Sequence, residues 1–160
     1  LVKPDQMLDE MCATLGGRAA EQIIFNEIST GALNDLEKVT KQARAMVTVY
    51  GLNEKVGNLT YYDSSGQNEY GFTKPYSEKT AELIDEEISK IIEEQYQRAI
   101  HILIEHKDKL KELAKVLLDK EVIFKDNLEK IFGERPFDKS KSEDTTAEKI
   151  IEEKESSAGE

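Results

Sequence analysis

The sequence lacks several features that would mark it as something other than a helical globular domain. It contains no Trp, one Cys, three Pro and nine Gly among 160 residues. Scarce Pro and Gly exclude collagen-like and low-complexity chains, and a single Cys excludes an internal disulfide framework. No apolar run approaches the roughly 18 residues that a membrane-spanning helix needs. The first residues turn polar at once, so we expect no secretory signal there. A start at Leu1 rather than Met leads us to expect a piece of a longer protein.

The charge balance disfavours one class of partner. The chain carries 33 acidic and 22 basic residues, for a formal net charge of -11. Nucleic-acid binding needs a basic surface that neutralises phosphates. We therefore expect no nucleic-acid partner.

Apolar residues recur at helical spacing along most of the chain, which predicts a mainly α fold. A first helix begins near Pro4 and is interrupted at Gly16–Gly17, so either it ends and restarts or something packs closely against the glycines. Three of the four later predicted helices begin at hydroxyl or acidic residues typical of helix starts, and the third begins at Lys107. They cover Ser29–Tyr50, Ser77–Glu105, Lys107–Lys120 and Asp126–Phe132.

Two segments depart from this helical pattern. Residues 52–76 contain glycines and the β-like run Asn58–Tyr62, which predicts a loop with one or two short strands around 57–75. Residues 138–160 carry eight acids and four bases with almost no apolar residues. Such a segment buries too little surface to offset chain entropy. We predict a packed domain over 1–137 and a disordered acidic tail over 138–160.

Few residues have the spacing of a known catalytic site. His101 and His106 lie five apart, about 140° around a helix, so they cannot form the His-Glu-x-x-His pair of a zinc peptidase. We interpret both as solvated surface residues. Cys12 falls on the apolar face of the first helix, which is typical of a buried structural thiol rather than a nucleophile.

Two acidic residues leave more than one interpretation open. Asp35 follows the predicted helix start at Ser29 and borders the apolar stripe of the second helix. Its carboxylate could cap that helix, face water or ligate a metal ion. Glu21 follows Arg18 closely, and we interpret it as a paired helix acid.

Several segments in order resemble one known family. Leu15–Glu21 followed by Ser29–Leu36 is similar to the peptidase domain of the FtsH family, the membrane-anchored AAA+ zinc metalloproteases. The resemblance extends over about residues 5–137 and does not include the tail. Its remaining segments are Tyr50–Gly57, Tyr76–Ala81, Ile84–Glu87, Tyr96 and Leu117–Glu121.

The resemblance implies a role for Asp35 and leaves the role of Glu21 open. The family binds zinc through two histidines of His-Glu-x-x-His and the aspartate of an Asn-Asp pair, which here matches Asn34–Asp35. It thus implies Asp35 as the third zinc ligand, with Glu21 as a carboxylate that could support the site without touching the metal. The His-Glu-x-x-His helix, the ATPase module and the membrane segments are absent from this sequence. We therefore expect the fragment alone neither to hold zinc nor to cleave protein.

The resemblance also implies the setting of the intact protein. That protein would be an ATP-dependent zinc metalloendopeptidase that degrades membrane and cytosolic proteins as a homo-hexamer. It would lie in the cell inner membrane with this domain on the cytoplasmic side, while the fragment itself would be soluble. This chain would contribute the third ligand and a helical scaffold. The alternative is a non-catalytic helical module for interaction or oligomerisation.

Overall fold

The mainly α prediction is confirmed by a computed structural model that describes residues 1–62 and 75–135. The described residues form six α-helices and a short 3₁₀ turn, without a β-strand. The helices are α1 (Pro4–Thr14), α2 (Gly16–Phe25), α3 (Leu33–Thr48), α4 (Glu78–Glu105), α5 (Lys107–Lys120) and α6 (Lys125–Phe132), and the 3₁₀ turn is Thr30–Ala32. No helix in this part of the chain is long and apolar enough to cross a membrane.

The glycine pair separates two helices. α1 ends at Thr14, Leu15 keeps helical dihedral angles, and α2 begins at Gly16. A Cβ atom placed on Gly16 or Gly17 would meet no atom within 4 Å. The first alternative is thus the correct one: the helix ends and restarts, and nothing packs closely against the glycines.

The main core lies in the compact unit Leu1–Lys107, where α4 packs against α1, α2 and α3. Every third or fourth residue of these helices turns inward, as amphipathic helices require. The buried cluster comprises Met11, Leu15, Val39, Ala43, Met46, Val47, Val56, Ile84 and Ile88. A smaller cluster joins α1, α2 and α4 through Cys12, Ala19 and Ala99. The unit from Asp108 onward includes α6, where the Lys109 ammonium lies 5.8 Å from the centre of the Phe132 ring.

The predicted stripe of α3 is confirmed at Val39, Ala43 and Met46, which are buried. The prediction is wrong at Tyr50, whose side chain is 60% exposed. The reason is that α3 ends at Thr48. Gly51 then turns the chain with a φ of +60°, a conformation that glycine adopts without steric cost.

The predicted strand is wrong within the described residues. Asn58–Tyr62 forms an irregular segment, because no second strand lies beside it in residues 1–62 or 75–135. Its Tyr61 N–H instead donates to the carbonyl of Thr48 at the end of α3, at 2.7 Å. The rest of the predicted loop (63–74) and the predicted tail (138–160) lie outside the described residues. The domain boundary at 137 stays a prediction.

Candidate metal centre

Asp35 lies in the first turn of α3. Its side chain is exposed, and within the described part of the chain it makes no hydrogen bond or ion pair. Negative charge is favourable here, because the amide groups at a helix N-terminus carry partial positive charge. The Asp35 carboxylate oxygens are therefore available to an external partner.

The 3₁₀ turn that leads into α3 is capped by a hydroxyl, whereas α3 itself begins after Ala32 without a side-chain cap. Ser29 has extended dihedral angles, and its Oγ accepts a hydrogen bond from the N–H of Gly31 at 3.2 Å. Ala32 at the end of the 3₁₀ turn is buried, which anchors the turn to the protein. The hydroxyl cap predicted at Ser29 is present, but it caps the 3₁₀ turn, and the α-helix starts only at Leu33.

Glu21 holds the same turn from α2. Its Oε2 accepts from the backbone N–H of Ser29 at 3.0 Å, and its Oε1 accepts from the Ser29 hydroxyl at 2.9 Å. These two hydrogen bonds, with a smaller contribution from the charge of Arg18, lower the pKa of Glu21 below its ordinary value. The described residues contain no ion pair between Glu21 and Arg18; the hydrogen-bond partner of Glu21 is Ser29, eight residues later.

The structure connects Glu21 to Asp35 only indirectly. No hydrogen bond joins the two carboxylates among the described residues. The connection runs from Glu21 through Ser29 and the 3₁₀ turn into α3. Both oxygens of Glu21 are engaged, whereas those of Asp35 have no partner within residues 1–62 and 75–135. Asp35 therefore suits a metal ligand, and Glu21 suits a support for the turn.

The other candidates lie outside this site. His101 and His106 are exposed near the end of α4, which confirms that they are surface residues. Cys12 is buried, and burial raises the pKa of its thiol. A thiol with a raised pKa is a poor nucleophile at neutral pH. The structural interpretation of Cys12 is confirmed.

The number and type of ligating side chains determine whether this site can bind a metal ion. A zinc site takes three or four protein ligands in tetrahedral geometry. Residues 1–62 and 75–135 contain no group of three or more His, Cys, Asp or Glu side chains that could hold a metal ion. Asp35 has the right chemistry for one carboxylate ligand. The remaining ligands of such a site would have to come from elsewhere.

The sequence-based predictions missed a buried acid on α4. Glu87 is 5% exposed; it accepts a hydrogen bond from Asn53 Nδ2 at 2.8 Å and forms an ion pair with the ammonium of Lys55. Its position was a usable signal, because Glu87 lies three residues after Ile84 on the inward stripe. Glu87 fixes the loop after α3 and takes no part in the Asp35 site.

Comparisons with known proteins identify relatives across most of the chain. The model of peptidase family M41 matches residues 1–131. The ATP-dependent zinc metalloprotease FtsH of Parabacteroides distasonis is 62% identical over 131 residues, which cover 82% of this chain and 19% of that protein. The protein of the same name in Karelsulcia muelleri is 58% identical over 127 residues, covering 79% of this chain and 20% of that protein.

The similarity extends to a eukaryotic protein. The mitochondrial inner membrane m-AAA protease component AFG3L2 of Mus musculus is 42% identical over 152 residues, covering 95% of this chain and 18% of that protein. The chain thus spans about a fifth of the length of the curated relatives that it matches.

Proposed function

Since the chain belongs to peptidase family M41, we propose that it supplies one metal ligand and the helical scaffold of an ATP-dependent zinc metalloendopeptidase. The names of its bacterial relatives support this activity. The observation that carries the proposal is the position of Asp35 at the start of α3, where its carboxylate is exposed and has no partner among the described residues. The Asn34–Asp35 pair is also the one that resembles the family's third ligand.

Asp35 would hold the zinc ion together with two imidazoles from a His-Glu-x-x-His helix that this chain does not contain. Zinc with such ligands acts as a Lewis acid toward water and a peptide carbonyl. Asp35 would contribute a negatively charged carboxylate oxygen as a metal ligand. Glu21 contributes by holding the turn before α3, without contacting the metal.

We also propose the setting of the intact protein. Residues 1–137 would form part of its peptidase domain, with 138–160 as a tail, and the family match over 1–131 supports this division. Its substrates would be membrane and cytosolic proteins. ATP would bind to a module outside this chain, in a membrane-anchored hexamer with this domain on the cytoplasmic side.

Exposed apolar side chains support assembly. Phe25 and Leu33, which lie between Glu21 and Asp35 in sequence, are 71% and 69% exposed. A contiguous apolar patch at a surface is typical of an interface, and these two side chains would contribute to one if they lie side by side. A non-catalytic interaction module would also expose apolar side chains. Only a test of Asp35 as a metal ligand can distinguish such a module from a metalloprotease.

The test is substitution of Asp35 in the intact protein. Asp35→Ala removes the ligand and should abolish casein cleavage and zinc retention. Asp35→Asn keeps the shape but loses the charge, so we expect cleavage to fall by about 10²-fold or more. ATP hydrolysis should be unchanged in both variants, because the site lies outside the ATPase module.

Asp5→Ala is the matched control, since Asp5 is an exposed aspartate in the first turn of α1. It should retain zinc and cleavage. If Asp35→Ala also retains both, Asp35 is not the ligand. If Asp35→Ala unfolds the protein, its carboxylate serves the helix rather than the metal, and the non-catalytic interpretation gains.

A further inference from the structure

We infer that Ser29 is a positioning residue for Asp35, because it fastens the turn that opens α3 to the Glu21 carboxylate on α2. This inference rests on the proposed function, since the position of Asp35 affects zinc only if Asp35 binds it.

α2 provides a rigid support for Glu21. Ala19, two residues earlier on the same helix, is fully buried against α4. Near the other end of α2, the Lys107 ammonium donates to the carbonyl of Ile23 at 3.1 Å. Glu21 therefore projects from a helix that is held on both sides of it.

Ser29 uses all of its donors and an acceptor in this turn. Its N–H and its hydroxyl each donate to a different oxygen of Glu21, at 3.0 Å and 2.9 Å. Because the hydroxyl hydrogen points to Glu21, a lone pair of the same oxygen remains for the N–H of Gly31 at 3.2 Å. Two parallel contacts to one carboxylate fix the orientation of Ser29 as well as its position.

Contacts such as those of Ser29 restrain the first turn of a helix more than the rest of it. Its N–H groups have no partner within the helix, so its conformation depends on what precedes it. Further along α3, Val39 is fully buried and fixes the helix body. Asp35 lies between that anchor and the turn held by Ser29. Without the Ser29 contacts, the Asp35 carboxylate would sample more positions and bind a metal ion less tightly.

The experiment measures zinc affinity of the intact protease by chelator competition. Residues that orient a metal ligand typically contribute about 10- to 100-fold in metal affinity. Ser29→Ala keeps the backbone contact and loses both hydroxyl contacts, so we expect zinc affinity to fall by about tenfold. Ser29→Thr keeps the hydroxyl and should restore most of this loss.

The Glu21 variants test the route of the effect. Glu21→Ala should weaken zinc binding by about 10- to 100-fold. If Ser29 acts through Glu21, adding Ser29→Ala to Glu21→Ala should cost less than about threefold more, because residues in one hydrogen-bond network are not additive. Fully multiplicative losses would overturn the inference.

Ser77→Ala is the matched control for a general loss of helix capping. Ser77 Oγ caps α4, a different helix from that of Asp35, by accepting from the N–H of Thr80 at 3.3 Å. Ser77→Ala should lower the melting temperature about as much as Ser29→Ala but leave zinc affinity unchanged. Equal zinc losses in the two variants would mean that Ser29 is only a cap, which overturns the inference.

Asp35→Ala separates the two proposals. If Asp35→Ala loses zinc and Ser29→Ala does not, the inference on Ser29 fails and the proposed function stands. If Asp35→Ala retains zinc, Asp35 is not a zinc ligand and the proposed function is wrong on that point. Loss of zinc in Asp35→Ala, a tenfold weakening in Ser29→Ala and recovery in Ser29→Thr would support both.

Discussion

Glu87 illustrates how one buried carboxylate can fix a loop. Asn53 lies between this acid and the backbone, because its Oδ1 accepts from the N–H groups of Lys55 and Val56 while its amide donates to Glu87. The Lys55 side chain is 57% exposed, so water screens its ion pair. The hydrogen bond from Asn53 is also the main reason that the pKa of Glu87 is lowered, followed by the one from Lys55.

We therefore predict that Glu87→Gln lowers the free energy of unfolding by about 1–2 kcal/mol near neutral pH. Because the pKa of Glu87 is below its ordinary value of 4.5, its charged form stabilises the fold above that value. This contribution is lost as pH falls through the lowered pKa. Denaturant titrations at neutral pH and at about pH 3 should show the difference between wild type and variant shrinking on acidification.

Glu86→Gln serves as the comparison for this prediction, since Glu86 is the exposed neighbour of Glu87 on α4. Its stability should change by less than about 0.5 kcal/mol. A difference for Glu87→Gln that stays constant with pH would show that the Glu87 charge does not hold the loop.

At the scale of helices and loops, glycines act in two opposite ways. Gly16 and Gly17 have helical conformations with open space around them. Gly51 has a φ of +60°, and an added Cβ would lie 3.4 Å from the Cα of Asn58. The first pair therefore adds chain entropy without a structural need, whereas Gly51 is required by its turn.

We expect Gly17→Ala to raise the free energy of unfolding by about 0.5–1 kcal/mol, because alanine restricts the unfolded chain and fits the helix. Gly51→Ala should lower it by about 1–2 kcal/mol, because the left-handed conformation is costly for alanine. Thermal unfolding of both variants beside wild type measures the two effects. A lowered melting temperature for Gly17→Ala would reveal a role for the glycine that the structure does not show.

Element boundaries were predictable where the sequence carries local signals. Pro4, Ser77 and Gly133 mark helix ends, and the structure confirms these ends to within about a residue. The Glu21–Ser29 contact was not predictable, because it joins two elements and follows no helical period. The prediction that Asp35 binds a metal ion came from the family resemblance, since an exposed first-turn aspartate has no local property that distinguishes a ligand from a helix acid.

For the molecule as a whole, the incomplete donor set predicts weak metal binding. Asp35 is one carboxylate, and the sequence has no His-Glu-x-x-His to complete a zinc site. The 160-residue chain by itself should therefore retain far less than one zinc ion per molecule after dialysis, and should not cleave casein. Elemental mass spectrometry gives the ratio, and a value near one would contradict the proposed division of ligands.

The late position of α4 in the sequence has a consequence for biosynthesis. This 28-residue helix, about 42 Å long, contacts each of the three helices that precede it. A ribosome therefore makes α1, α2 and α3 before the surface that covers them exists. Until Ile84, Ile88 and Ala99 emerge from the exit tunnel, Met11, Leu15 and Val39 have no α4 against which to pack. The nascent chain can complete this core only after α4 has been made, and until then a chaperone would have most apolar surface to bind.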